Sequence, residues 1–194
     1  MRVNKKERKT KETEITLNLN LDGKGTYKIS TGLNFLNHML EQFAYHSGFD
    51  VELSAKSLDS DSHHITEDIA ITLGLGIKEA LGDKKGIKRY SSIILPMDEA
   101  LILSSIDISG RPYCKVDVDL ADEKVSDFET VLLAHFFNSL AQNIGMSLHI
   151  KKLDGSDTHH IIEAAFKATA RAIKNAVQID SSKKDEIPST KGLL

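Results

Sequence analysis

Polar and apolar residues alternate over 14–21, placing Ile15, Leu17, Leu19 and Leu21 on one face, the period of a half-buried strand. The turn-forming run Asp22, Gly23, Lys24, Gly25 leads into residues 26–30, so the pattern predicts a β-hairpin. Over 33–48 the period changes: Leu36, Met39, Leu40 and Phe43 recur at helical spacing, and Gly48 is placed to end the helix. Alternation returns over 49–58, and residues 65–82 read as a second helix, with Gly74 and Gly76 unfavourable residues near its middle.

The same order is then written again. Strands are predicted over 100–109 and 113–120, a helix over 127–145 closed by Gly145, a strand over 146–153, and a strongly patterned helix over 159–177. Residues 90–97 read as one more strand between the copies. The plan divides the chain into halves of about 10–87 and 88–180, followed by a polar tail over 181–194. A repeat this long implies duplication of a half-domain, not a solenoid. Sheets carrying long amphipathic helices predict an α+β fold, a two-layer sandwich of two duplicated halves in one domain.

Chemistry enters where each final helix begins. DSHHITE occupies 61–67 and DTHHIIE occupies 157–163, and 159−63, 160−64 and 163−67 all equal 96. Duplication of a core explains repeated apolar residues, not repeated histidine pairs. Neighbouring residues on a helix point roughly 100° apart, whereas residues three or four apart share a face. His63 and His64, like His159 and His160, are therefore suited to two different ions, and Glu67 or Glu163 can converge with one of each pair. Two copies of the segment brought together would complete both shells. His38 and His135 lie 25 and 24 residues before these pairs (63−38 and 159−135), each in the preceding helix, and extend the set. Imidazoles and carboxylates without thiolates suit manganese, iron or zinc. The plainer role of Asp61 and Asp157 is to cap their helices. His46 and His149 have no repeated partner, and His149 alternates with Leu148 and Ile150 as a strand residue on the exposed or interface side.

A net charge of −3 over 194 residues gives no basic footprint for nucleic acid. The polar N-terminus is unlike a signal peptide, and no run approaches the roughly 18 apolar residues of a membrane helix. The single cysteine, Cys114, has no partner for an internal disulfide and takes no role. These features predict a cytoplasmic protein that contacts neither membrane nor nucleic acid. The basic residues Arg89, Arg111, Lys167 and Lys191, with the hydroxyl of Ser189, are groups that bind a phosphate monoester.

Residues 10–13 (TKET), 35–50 (FLNHMLEQFAYHSGFD), 63–71 (HHITEDIAI), 96–100 (PMDEA), 107–113 (DISGRPY), 135–141 (HFFNSLA), 158–168 (THHIIEAAFKA) and 188–192 (PSTKG) closely resemble the imidazoleglycerol-phosphate dehydratase family. The resemblance implies a fold like the second domain of ribosomal protein S5, trimers assembling into a 24-subunit homo-oligomer, and two Mn2+ ions per active site. It implies metal binding by His38, His63, His64, Glu67, His135, His159, His160 and Glu163. It places Glu12, Gln42, His46, Arg89, Arg111, Lys167, Ser189 and Lys191 against a small phosphorylated imidazole substrate. Glu12, Glu67 and Glu163 are the carboxylates that could carry the proton. A fused phosphatase domain, present in some relatives, does not fit in 194 residues, so a monofunctional enzyme is expected. Two rival readings are a dinuclear metallohydrolase acting on a phosphoester and, against the acidic balance, an RNA-binding module.

Overall fold

The computed structural model describes residues 1–194. The first half contains β1 (Val3–Lys9), β2 (Thr13–Asn20), β3 (Tyr27–Ser30), α1 (Asn34–Ser47), β4 (Asp50–Ser57) and α2 (Ser62–Leu81). The second contains β5 (Tyr90–Met97), β6 (Ala100–Asp107), β7 (Tyr113–Asp117), the short pair β8 (Lys124–Val125) and β9 (Phe128–Glu129), α3 (Leu132–Ile144), β10 (Ser147–Asp154) and α4 (Thr158–Val177). The sheets match: β1-β2-β4-β3 and β5-β6-β10-β7. The duplication is thus strand, strand, strand, helix, strand, helix, and 90–97 is the second half's copy of β1 rather than a connector.

Each half is a two-layer unit whose helices lie on one face of its sheet, and the halves meet helix to helix. Helix α1 packs on α4, and α2 on α3. One core of 46 buried apolar residues runs through both halves, so neither half closes a core alone. The fold is α+β, and no helix is long and apolar enough to cross a membrane. Cys114 lies half-buried in β7, where burial pushes its thiol up to about 11 and leaves it unreactive.

Three sequence expectations are corrected. The run over 22–25 does not turn β2 back into a hairpin; β3 instead pairs in parallel with β4. The cause is Asp50, whose carboxylate accepts from the backbone N–H groups of Lys24 and Thr26 and from the Thr26 hydroxyl, at 3.0, 3.0 and 2.6 Å. It binds the turn to the start of β4, and those bonds hold its pKa down to about 2. Second, Val3–Lys9 is a strand although its polar residues give no strand signal, so the first half begins before residue 10. It is an edge strand tied by Lys6 to Glu79 and by Arg8 to Asp68, a means of shielding an edge with charge. Third, α3 starts at Leu132 rather than 127, because Asp127 serves the other half. Its carboxylate accepts from the N–H groups of Asn34 and Phe35 at 2.6 and 2.9 Å, capping α1, which has no side-chain cap of its own. The helix expected over 65–82 is continuous through Gly74 and Gly76 as α2.

Asp68, 6% exposed, joins α2 to the turn that carries Glu12. It accepts from Arg8 Nε at 2.9 Å and from the Thr13 hydroxyl at 2.5 Å. Asp68→Ala should cost roughly 1.5–3 kcal/mol, the value of charge-assisted hydrogen bonds. In a protein of this size each kcal/mol lowers Tm by roughly 2–4 °C. Thermal denaturation checks the size, and faster hydrogen exchange at the Thr13 amide checks the location.

Candidate active site

The helix contacts between halves bring the histidines together crosswise. His38 from α1 meets His159 and Glu163 from α4: Glu163 Oε2 lies 3.1 Å from His38 Nε2 and 3.0 Å from His159 Nε2. All three donor atoms lie within 4.8 Å of one another. On the other side His63 from α2 meets His135 from α3, with ring centroids 4.6 Å apart. Glu67 lies one turn along from His63 and accepts only a 3.5 Å contact from Ser139. The sequence pairs His38 with His135 by repeat, whereas the fold joins each of them to the opposite half.

The two clusters are not equally tight. Glu163 is buried at 5% exposure, and Lys167 Nζ lies 2.6 Å from its Oε1. Burial alone would raise its pKa; hydrogen bonds from Lys167 and His159 outweigh that and hold the carboxyl below the ordinary value. Subtracting the repeat (167−96) gives position 71, which is Ile71, so Glu67 has no such cation. The duplication is broken where one half acquires a lysine.

The second histidine of each pair points elsewhere. His64 Nδ1 is held by Asp59 at 2.7 Å and approaches Glu12 at 3.9 Å. His160 Nδ1 is held by Glu99 at 2.8 Å, with Asp98 3.5 Å from its Nε2. Asp59 and Glu99 are site residues the sequence reading does not assign, and Asp98, in the PMDEA segment, is given no role there. A signal existed for one: β2 and β6 begin at Thr13 and Ala100, an offset of 87, and 12+87 is 99. Glu12 and Glu99 therefore close equivalent turns. The offset grows to 96 at the histidine pairs because the β8–β9 hairpin lengthens the second half.

Hydrogen bonds donated by the rings to the Asp59 and Glu99 carboxylates, respectively, raise the pKa of His64 and of His160 above 6.5. Each contribution to stability is complete below the unfolded value of 6.5 and is lost as pH rises through the folded value. Metal-free protein should thus lose thermal stability on going from pH 6.5 into the alkaline range. Melting curves in chelator check this; the variant Asp59→Asn/Glu99→Gln should show a flatter slope.

The other expected site residues divide into two groups. Gln42 and His46 follow His38 at four-residue steps on α1, as Lys167 and Arg171 follow Glu163 on α4. Arg171 Nε lies 3.4 Å from His46 Nδ1, and burial, then the Arg171 and Lys167 charges, lower the His46 pKa. Arg89, Arg111, Ser189 and Lys191 gather elsewhere. Arg89 is already engaged: its guanidinium donates to both Asp107 oxygens, at 2.7 and 3.2 Å, and to the Pro188 carbonyl at 2.8 Å, which fixes the tail. Its backbone N–H donates to Ala176, 13 residues beyond Glu163 (176−163) on α4, which at 1.5 Å per residue is about 20 Å away. Within one chain the histidine cluster and the tail-side cations do not meet.

A duplicated α+β chain with crossed histidine–carboxylate clusters belongs to the structural class of two solved dehydratases. One is imidazoleglycerol-phosphate dehydratase from Staphylococcus aureus, with TM-score 0.84, 38% identity, and coverage of 92% of this chain and 99% of that one. The other is IGPD from Pyrococcus furiosus, with TM-score 0.85, 38% identity, and coverage of 97% and 100%. The family model for imidazoleglycerol-phosphate dehydratase matches residues 31–173. Enzymes of that name from Acetivibrio thermocellus and Caldanaerobacter subterraneus are 52% and 50% identical, over 96% and 100% of both chains. This chain belongs to the imidazoleglycerol-phosphate dehydratase family and is a hydro-lyase of histidine biosynthesis.

Proposed function

We propose that the protein dehydrates D-erythro-imidazoleglycerol phosphate to imidazoleacetol phosphate with Mn2+ bound at the histidine clusters, in the cytoplasm, as trimers assembled into a 24-subunit particle. The observation that carries the metal reading is the convergence of His38, His159 and Glu163, a hard and borderline donor set without sulfur that fits manganese. His63, His135 and Glu67 would hold the second ion. A divalent ion held there would supply Lewis-acid polarisation of the substrate's imidazole. His64 and His160 face away from both clusters, and the tail-side cations lie about 20 Å along α4, farther than a three-carbon phosphate arm reaches. Both features favour sites completed by another copy of the chain.

The reaction removes a carbon-bound proton and a hydroxyl as water, and the enol so formed tautomerises to the ketone. Of the three candidate carboxylates, Glu163 is occupied by two histidines and a lysine. Glu12 is the better proton acceptor. Its backbone N–H is bonded to the Thr10 hydroxyl, which fixes the turn, while its exposed carboxylate lies beside His64 with no hydrogen bond. Lys167 and His46 would orient the substrate at the cluster, and Arg111, Ser189 and Lys191 of a neighbouring copy would take the phosphate.

The test is an assay of purified protein with imidazoleglycerol phosphate and manganese, following the ketone product. Glu12→Gln should abolish turnover with full metal content. Arg111→Ala should weaken substrate use roughly ten- to a hundred-fold, the worth of one charge-assisted contact, and leave metal and particle size unchanged. Assembled, metal-loaded protein without turnover overturns the reading. Release of inorganic phosphate from simple phosphoesters would favour a hydrolase instead.

A further inference from the structure

The loop from α2 to β5 carries two cations in the same unusual state. Lys84 and Arg89 are each only 8% exposed, and each has a left-handed backbone, with φ of 61° and 73°. Such a backbone is strained for a side-chain-bearing residue and persists where the surroundings require it. For Arg89 the requirement is visible: Asp107 and the Pro188 carbonyl use its whole guanidinium edge. For Lys84 it is not. Its backbone N–H is bonded to Leu81, but its ammonium has neither a hydrogen-bond nor an ion-pair partner.

The surroundings make the position worse. Burial lowers the Lys84 pKa most, and the charges that act on it next are positive, those of Lys78 and Arg89. An ammonium placed this way has no carboxylate within ion-pairing distance, the Leu194 carboxyl at the same turn included. Its position shows where an anion would sit. A Cβ added to Gly110 would stand 3.5 Å from Lys84 Nζ, and Gly110 (φ 77°) opens the turn whose next residue is Arg111. The tail crosses the same place: Pro188 is held by Arg89, and the carboxyl carbon of Leu194 would stand 2.9 Å from that Cβ. Leu194 forms no ion pair with Lys84, and Asp107 is already used by Arg89. Lys84 Nζ and the Leu194 carboxyl thus flank Gly110, Arg111 is the next residue of that turn, and the Arg89–Pro188 bond brings the start of the Ser189–Lys191 segment to the same end of the fold.

We infer that Lys84 is a further phosphate-recognising residue of this enzyme, its ammonium held unpaired at the Gly110 turn until a phosphate monoester arrives. The inference rests on the proposed phosphorylated substrate. It also accounts for the strain: a left-handed backbone aims the lysine inward from a loop whose solvent side would otherwise receive it.

Lys84→Met keeps the apolar stem and removes the charge. Three measurements decide: KM for imidazoleglycerol phosphate, calorimetric binding of inorganic phosphate, and competition by the phosphate-free imidazoleglycerol. The variant should raise KM and weaken phosphate binding roughly ten- to a hundred-fold. Competition by imidazoleglycerol, metal content and Tm should stay at wild-type values, and Lys84→Arg should recover part of the phosphate binding. Equal weakening of the phosphate-bearing and phosphate-free compounds overturns the inference, as does unchanged phosphate binding with a lowered Tm, which would make Lys84 a structural residue. If wild-type protein fails to turn over the substrate yet Lys84→Met loses phosphate binding, the substrate reading falls and the role of Lys84 stands.

Discussion

Glu163→Ala should be the most damaging single change in the site, lowering stability and metal content together. The carboxylate, 7% exposed at its side chain, is the common partner of His38, His159 and Lys167 at 3.1, 3.0 and 2.6 Å. Its loss leaves an ammonium that is only 18% exposed without a counter-charge. Breaking one side of a buried pair costs about 3–5 kcal/mol, most of it the penalty on the charge left behind. At roughly 2–4 °C per kcal/mol for a chain of this size, Tm should fall by roughly 6–20 °C. Glu163→Ala/Lys167→Met separates the causes: removing the orphaned ammonium should recover most of the melting temperature and none of the turnover. A Glu163→Ala protein that melts within a degree of wild type, or keeps full metal content by elemental analysis, contradicts the assignment.

That dependence was half legible in the sequence. The repeated His-His-x-x-Glu segments, their helical faces and the helices that carry them could be read because they depend on local spacing. So could the ends of α1 and α3, since Gly48 and Gly145 take the left-handed conformation, with φ of 73° and 79°, that glycine adopts freely. What was not legible came from side chains acting across long separations. Asp127 caps α1 from 92 or more positions away, Asp50 captures the turn before β3, and Asp68 holds a strand whose composition reads as solvent-exposed. The crosswise joining of His38 to His159 and of His63 to His135 belongs to the same kind. Repeat arithmetic identifies equivalent residues, but not which equivalents touch; that is decided by the packing of α1 on α4 and α2 on α3. Asp59 escaped for another reason: 59+96 is 155, which is Gly155, so it has no repeated partner.

The second half-site depends on a glycine. Within α2, glycine costs about 1 kcal/mol relative to alanine, so propensity alone argues against Gly74 and Gly76. Their surroundings differ. A Cβ on Gly76 would come 2.6 Å from the Leu17 side-chain tip, which can swing aside. A Cβ on Gly74 would come 2.8 Å from Asn143 Cβ and 2.9 Å from the Leu140 carbonyl, atoms of α3 that move only if the helix moves. The glycine lets α2 and α3 approach closely enough to set the His63 and His135 rings 4.6 Å apart. Gly74→Val should therefore act as overpacking, which costs about 1–3 kcal/mol and sometimes more, or a Tm loss of roughly 2–12 °C. By prising α2 from α3 it should also separate His63 from His135, while His38, His159 and Glu163, carried by α1 and α4, remain in place. Metal titration should then show one class of site lost and the other retained, with about half the wild-type metal bound per chain. Gly76→Ala should stay near wild type in both measurements, because the propensity gain offsets the displacement of one leucine tip. If the two variants behave alike, or if Gly74→Val binds the full complement of metal, the close approach of α2 and α3 is not what assembles this half-site.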